Sequence, residues 1–241
     1  MARRLLAFSL LLCLCMTQVF AQTQQTPYTG KENEKEKDKD KKPVVFRDRF
    51  IMDIYHTFWM GMPKEVNHMK FDPGFNVSAI WDFKIKQKPV AIGLGVGISY
   101  YSQYSDALLL YDETDQVMRY NLLPEGVNFN RLKMNYFHVN IPLEFRYRAQ
   151  NGFKFTIGAR AGLVCGVSQK YKGDNPFNPS DTLRIKNLRI ENKMKYCVDV
   201  YARIGWKFVD VYYSFQATPM FTESKGPKIR PMSVGISLSI F

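Results

Sequence analysis

The sequence predicts an all-β fold: an eight-stranded antiparallel transmembrane up-and-down β-barrel. Three observations predict it. Residues 1–21 have the layout of an export signal. From Val44 onward, apolar residues recur at every second position, the period of a strand with two unlike faces. The connections alternate between short and long, which is the asymmetry of a barrel with tight turns at one rim and loops at the other.

The first element is the signal. Arg3 and Arg4 form a positive start, Leu5 to Met16 is an apolar run, and Val19-Phe20-Ala21 supplies a cleavage site before Gln22. The run is too short to span a bilayer as a helix. Cys13 and Cys15 both follow Leu, whereas a lipid-modified Cys wants a small residue before it, so no lipid anchor is expected. Next comes a polar stretch over 22–45, whose KENEKEKDKDKK core alternates in sign. It cannot bury enough apolar surface to offset the entropy of ordering, and is expected to be a disordered periplasmic linker. The formal net charge of +12 includes Arg3 and Arg4, which leave with the signal. An exported chain does not meet nucleic acid, so the acidic neighbours expected for this basic protein are lipopolysaccharide and surface glycans. Cys165 and Cys197 are the cysteines that remain, too few for a disulfide framework.

The barrel is expected over 46–241. Its first strand, near Arg47–Trp59, sets Phe50, Met52, Ile54 and Phe58 against Arg49 and Asp53. The second is clearer: Phe75, Val77, Ala79, Trp81, Phe83 and Ile85 oppose Asn76, Ser78, Asp82, Lys84 and Lys86, with Ile80 the exception. The third alternates Val90 to Ile98 against Gly93, Gly95 and Gly97. The fourth sets Phe137 to Tyr147 against His138, Asn140, Glu144, Arg146 and Arg148, and the fifth Phe153 to Leu163 against Lys154, Gly158, Arg160 and Gly162. The sixth opposes Tyr196 to Trp206 with Asp199, Arg203 and Gly205; the seventh Val209 to Phe215 with Asp210; the eighth Met232 to Ile240 with Gly235 and three serines. Pro142 lies mid-strand and cannot donate to a ladder, which predicts a bulge there. Short turns fall at Gln87-Lys88-Pro89, Gln150-Asn151-Gly152 and Lys207-Phe208; long loops fall near 60–74, 103–132, 169–192 and 221–229. An even strand count puts both barrel ends on the short-turn, periplasmic side.

Alternation does not say which face meets lipid, because a soluble barrel has the same period with the faces exchanged. The glycines decide. Gly93, Gly95, Gly97, Gly158, Gly162, Gly166, Gly205 and Gly235 lie on the polar face, where a solvent-exposed strand would gain nothing from them. Inside a narrow barrel they make room for large side chains. The polar face is therefore the lumen, closed by a charge network of Asp53, Asp82, Lys84, Glu144, Arg146, Arg148, Arg160, Asp199, Arg203 and Asp210. Aromatics near the strand ends, Phe58, Trp59 and Phe75 at one rim and Phe83, Tyr147, Phe153, Trp206 and Phe208 at the other, fit two interfacial girdles.

The export signal, the eight amphipathic strands, the terminal SVGISLSIF and the final Phe241 resemble the outer-membrane β-barrel proteins of the Bacteroidota, including the PorT-like group. The resemblance covers residues 46–241 and implies an outer-membrane location and a role in type IX secretion. Phe241 departs from it, being out of step with the lipid-facing Ile240, Leu238 and Ile236. Asp181-Thr182-Leu183 matches the short O-glycosylation acceptor of that phylum, making Thr182 a candidate modification site on an external loop.

Chemistry is sparse. Of His56, His68 and His138, the last is expected to pair with Glu144 or a tyrosine in the lumen; no HExxH, CxxC or ligand cluster indicates a metal or other cofactor. GLGVG at 93–97 opens no helix and reads as a small-residue strand face rather than a nucleotide fingerprint. The expected function is that of a non-enzymatic barrel, an accessory or structural subunit of an envelope complex, with an acidic loop over 103–132 and a basic one over 169–192 as contact surfaces. The alternatives are an outer-membrane enzyme acting on lipid A or surface peptides, and a small-solute pore.

Overall fold

The structure is a computed structural model that describes residues 49–67, 71–85, 88–176 and 178–240. The expected signal, the linker over 22–45, His68, Gln87 and Phe241 lie outside the described residues. Among the described residues eleven strands follow one another: β1 (Phe50–Met60), β2 (Pro73–Lys84), β3 (Val90–Tyr104), β4 (Ala107–Asp112), β5 (Val117–Leu122), β6 (Phe129–Arg148), β7 (Phe153–Asn175), β8 (Asn178–Arg189), β9 (Tyr196–Trp206), β10 (Val209–Gln216) and β11 (Arg230–Ile240). Eight of them close an antiparallel ring, β1-β2-β3-β6-β7-β9-β10-β11, in which β11 pairs back onto β1 and β6 pairs with β7. No strand edge of the ring is left open, so the whole wall satisfies its own backbone, as a membrane-spanning sheet must.

The wall is apolar outside. Val139, Ile141, Leu143 and Phe145 alternate outward on β6, and Ile141 is 57% exposed; Trp81, Leu94, Ile157, Val200, Ile204 and Ile236 continue the band on other strands. The inward positions are mainly polar or aromatic and buried, with Ile51 and Ile80 among them. This is the reverse of a water-soluble barrel, and the fold is a transmembrane barrel. Among the described residues no helix is long and apolar enough to cross a membrane; the crossing is made by strands.

Three strands lie outside the ring and correct the expectation of long irregular loops. Within 103–132, β4 and β5 form a separate hairpin. Within 169–192, β7 continues to Asn175 and β8 pairs back along it. The physical reason is a second, small apolar cluster: Leu108, Leu132 and Tyr171 are buried together, with Leu110, Phe129, Leu183 and Ile185 packed against them. These segments are too short for their alternation to stand out in the sequence, but side by side they bury one face.

Pro142 brings a second correction. The register of β6 against β7 runs through Pro142↔Arg160 unbroken, so no bulge forms there. Toward β3 the ladder skips the Pro142 level between Leu94↔Leu143 and Gly97↔Asn140 and resumes in the same register. The missing donor removes a bond without displacing the strand. The bulge lies higher, where Phe137 pairs with Gly166 and His138 with Val164, leaving Cys165 as the extra residue. Above it β7 changes parity: Val167, Gln169 and Tyr171 point inward, whereas below it Lys154, Thr156 and Arg160 do. Gly166, expected on the lumen side, is thereby set opposite the outward Phe137.

Candidate functional site: the filled lumen and its cap

The lumen's charged residues come from β1, β2, β6, β7, β9 and β10 at staggered heights, so that charges from non-neighbouring strands meet across the bore. Nearest the short-turn end, the Lys154 ammonium donates to Asp210 Oδ2 at 3.0 Å and to Ser239 Oγ at 2.9 Å. Arg146 donates to both oxygens of Asp82 at 2.6 Å. Arg148 lines the same depression with Asp210 and Lys154. One level deeper, Arg203 makes a fork onto Asp53 through Nε (2.9 Å) and Nη2 (2.8 Å) and reaches Glu144 through Nη1 (2.7 Å). Glu144 also accepts from the Tyr201 hydroxyl at 2.7 Å. Deeper still, Arg160 donates to Asp199 at 2.7 Å and to the Tyr212 hydroxyl at 2.6 Å. Both guanidinium groups lie over the ring of Tyr201, Arg203 at 4.8 Å and Arg160 at 5.1 Å from its centre, a cation–π arrangement with aromatic walls on a charged core.

A neutral polar chain supports the ion pairs. Asn76 donates to Asp53 (2.8 Å) and accepts from Ser99 (2.9 Å), and Asn140 donates to Ser99 (2.9 Å). The side chains differ in length, and glycines fit them together. A Cβ at Gly158 would stand 2.7 Å from the Tyr201 ring, one at Gly74 2.2 Å from the Tyr55 ring, and one at Gly93 2.9 Å from Ile80. Ile80, the residue that broke the alternation, therefore fills a notch between small residues. The glycines make room for tyrosines and for Ile80 more than for the arginines that the sequence suggested.

Toward the loop end the lumen turns apolar. Tyr55, Trp59, Tyr101, Tyr136, Tyr201 and Tyr212 belong to the same buried cluster as Leu109, Met118, Met134, Val167, Ile190, Met220, Phe221 and Ile229. The cluster runs without a break from the bore into the loop layer and caps it. Backbone bonds tie the layer: Leu109 N donates to Gln169 Oε1 (3.1 Å), Met118 N to Lys225 O (3.1 Å), and Asn192 Nδ2 to Gln116 O (2.8 Å). Tyr120 donates to Gln103 (3.0 Å), and burial pushes its hydroxyl well above the ordinary tyrosine range, so it stays a donor. The oppositely charged loops meet through apolar and backbone contacts, while Arg119 pairs within its own hairpin with Asp115 and Asp112.

The candidate residues from the sequence fall as follows. Asp53, Asp82, Glu144, Arg146, Arg160, Asp199, Arg203 and Asp210 meet in the lumen, and Arg148 stands half-buried at its short-turn mouth. Lys84 does not join them: it is the last residue of β2, exposed at the rim where the strand leaves the wall. Thr182 is exposed but lies in strand β8, opposite Asp174, not in a loop. Trp59, expected in an interfacial girdle, is 5% exposed and belongs to the cap. His138 faces Asp199, not Glu144, with Nε2 3.6 Å from the carboxylate and its ring beside Tyr101 and Tyr136. Sequence reasoning set Lys154 and several of the tyrosines on the polar face but gave them no place in the network; the signal for the tyrosines was the glycines opposite them.

His138 and Cys197 both lie against Gly162, and Asp199 is two residues from Cys197. A Cys–His–Asp grouping has the residue types of a nucleophile and its base. Cys197, however, is buried beneath the cap. Among the described residues no group of three or more His, Cys, Asp or Glu side chains is placed to hold a metal ion.

No protein-family model matches the sequence, and no curated protein matches it. Among solved structures, Neisserial surface protein A is similar at 11% identity over 79% of this chain and 96% of that one, with a TM-score of 0.37. Ail, the attachment invasion locus protein of Yersinia pestis, is similar at 10% identity over 78% of this chain and 95% of that one, with a TM-score of 0.36.

Proposed function

We propose that this chain is a non-enzymatic integral barrel of the bacterial outer membrane, exported through residues 1–21, with its short turns periplasmic and its loop end outside. In this reading it is an accessory or structural subunit of a cell-envelope complex and acts through its loop layer, its wall or its N-terminal linker. The PorT-like resemblance makes the type IX secretion machinery the specific candidate, and lipopolysaccharide is the surrounding lipid. The observation that carries the reading is the bore itself: paired ions fill it and an apolar cap covers it. A solute pore needs a continuous water path, which such a bore does not offer. An enzyme needs its nucleophile within reach of substrate, and Cys197 is sealed in. What remains for function is surface, and the loop end supplies an ordered, strand-built one.

The test is purification of the full chain from its own membranes in mild detergent. A stoichiometric envelope partner is the expected result, and loss of that partner on removing the β4–β5 hairpin would assign the contact to the loop layer. A barrel that comes out alone refutes the accessory role.

A further inference from the structure

The outer side of β6, β7 and β8 carries a ladder of cations. Lys133 stands directly opposite Lys170 in the register, and Arg131 opposite Lys172. The residues between them, Leu132 with Tyr171 and Met134 with Gln169, point inward and are buried, so the four cations share the outer face. On the next strand Arg184 stands opposite Lys172, while its neighbours Leu183 and Ile185 pack inward. Like charges directly opposite on paired strands repel one another, and three such pairs in succession work against the sheet that displays them.

Among the described residues Arg131, Lys133, Lys170, Lys172 and Arg184 have no ion-pair partner. The carboxylate nearest along the strand, Asp174, accepts from the backbone of Asn128 at 3.1 Å. Lys133 leans over the Tyr104 ring, 5.7 Å from its centre, with its ammonium 3.4 Å from the Tyr100 hydroxyl.

The height of the ladder identifies what it faces. Tyr100 stacks on Phe75 with ring centres 5.4 Å apart, an outward aromatic pair at the upper edge of the wall. Level with Tyr100 is Phe137 on β6, and below them the outward residues are Val139 and Ile141 on β6 and Leu163 on β7. Lys133 is four residues above Phe137, about 13 Å along the strand at ~3.3 Å per residue, and less in height because barrel strands tilt. At a tilt of about 40° the height is roughly 10 Å, at the outer limit of a headgroup layer about 5–7 Å thick, from which long cationic side chains reach down toward lipid phosphates. The cations continue the outward face of the wall upward along the flank of the extension.

We propose that Arg131, Lys133, Lys170, Lys172 and Arg184 form a binding site for the phosphorylated headgroup of an outer-leaflet glycolipid of the lipid A class, an inference that rests on the outer-membrane reading above. Two phosphates spaced along the ladder neutralise the opposed pairs, with Arg131 and Arg184 supplying forked donors and the lysines point charges.

The full chain is reconstituted in phosphatidylcholine nanodiscs that contain either bisphosphorylated lipid A or the same lipid with both phosphates removed. After release into neutral detergent, retained lipid is counted by native mass spectrometry, and folding is followed in parallel by heat-modifiable gel migration. Wild-type barrel is expected to retain the bisphosphorylated form at least tenfold over the dephosphorylated one. Lys170→Gln with Lys172→Gln, and independently Arg131→Gln with Lys133→Gln, should each lose most of that preference. Lys193→Gln with Lys225→Gln, which removes two cations outside the ladder, should keep it. Equal retention of the two lipids by folded wild-type barrel, or a preference untouched in folded ladder variants, overturns the proposal. Displacement of the lipid by millimolar inorganic phosphate assigns the site to free phosphate instead. Tighter binding of a soluble sulfated polysaccharide than of lipid A assigns it to a glycan, and either result overturns the lipid assignment. A wild-type chain that does not fold in either nanodisc defeats the membrane reading, and this proposal with it.

Discussion

Arg203 is the side chain whose loss the lumen should feel most. It forks onto Asp53 at 2.9 and 2.8 Å and reaches Glu144 at 2.7 Å. Both carboxylates are essentially without exposure, Asp53 at 0% and Glu144 at 1%. Replacing Arg203 by Met keeps most of the volume over Tyr201 and removes the charge. Two buried carboxylates then face each other with no cation between them. Removing one partner of a buried ion pair costs about 3–5 kcal/mol. The lower end applies here, because Asp53 keeps its bond from Asn76 and Glu144 keeps Tyr201 and the neighbouring Arg146, 3.4 Å away. At about 2 kcal/mol per molar urea, a loss of roughly 3 kcal/mol lowers the unfolding midpoint by about 1.5 M. The assay is urea unfolding in neutral micelles, followed by tryptophan fluorescence and heat-modifiable migration. Adding Asp53→Asn and Glu144→Gln to the Arg203→Met background removes the stranded charges and should restore more than half of the loss. A single-variant loss below about 1 kcal/mol, or a triple variant no more stable than the single one, would refute charge pairing as the reason the bore is stable.

Other predictions test the rest of the bore. Gly235→Ala should destabilise by about 1–3 kcal/mol or fail to fold, because its Cβ would stand 2.1 Å from Ile54 O, whereas Gly166→Ala, with nothing within 4 Å, should stay within about 0.5 kcal/mol; equal urea midpoints would contradict the packing described. Lys84→Gln should also leave stability within about 0.5 kcal/mol, since Lys84 is exposed at the rim; a loss of several kcal/mol would return it to the lumen network. A maleimide should label Cys165, which is exposed, and reach Cys197 only after unfolding, as read by intact mass. In planar bilayers wild-type protein should show no steady conductance, and sustained unitary currents would mean that the plug is not one.

Much of the barrel was legible because its determinants are local. Period-two alternation on Phe75 to Phe83 or Phe137 to Tyr147 needs only a strand with unlike faces, and β2 and β6 follow it. What escaped depends on contacts distant in sequence. The β4–β5 hairpin and β8 are held by Leu108, Leu132 and Tyr171, which lie far apart along the chain and form a face only when the three segments meet. Trp59 reads as an interfacial aromatic until the cap encloses it. Pro142 signals a lost donor but not what the strand does about it; its neighbours hold the register, and the bulge goes to Cys165, which no composition rule singles out. In the lumen the residue types were readable from parity. The pairing was not, since Arg203 meets Asp53 across 150 positions of sequence. Lys84 shares the parity of Asp82 but stands one step too near the rim.

Cys165 works like a single-letter insertion in a reading frame. Below it the even-numbered residues of β7 are read by the lumen; above it the odd-numbered ones are. Were that one residue deleted with the pairing kept, Val164 would be followed directly by Gly166, the alternation would run through unbroken, and Val167, Gln169 and Tyr171 would still stand opposite the inward Tyr136, Met134 and Leu132. The cap's apolar seal and the outer ladder of cations are thus set by their partners on β6, and the extra residue shifts only the numbering between the two halves of the strand. A chain lacking Cys165 should therefore keep both the cap and the outer ladder, and the bulge is a local kink that the strand can lose.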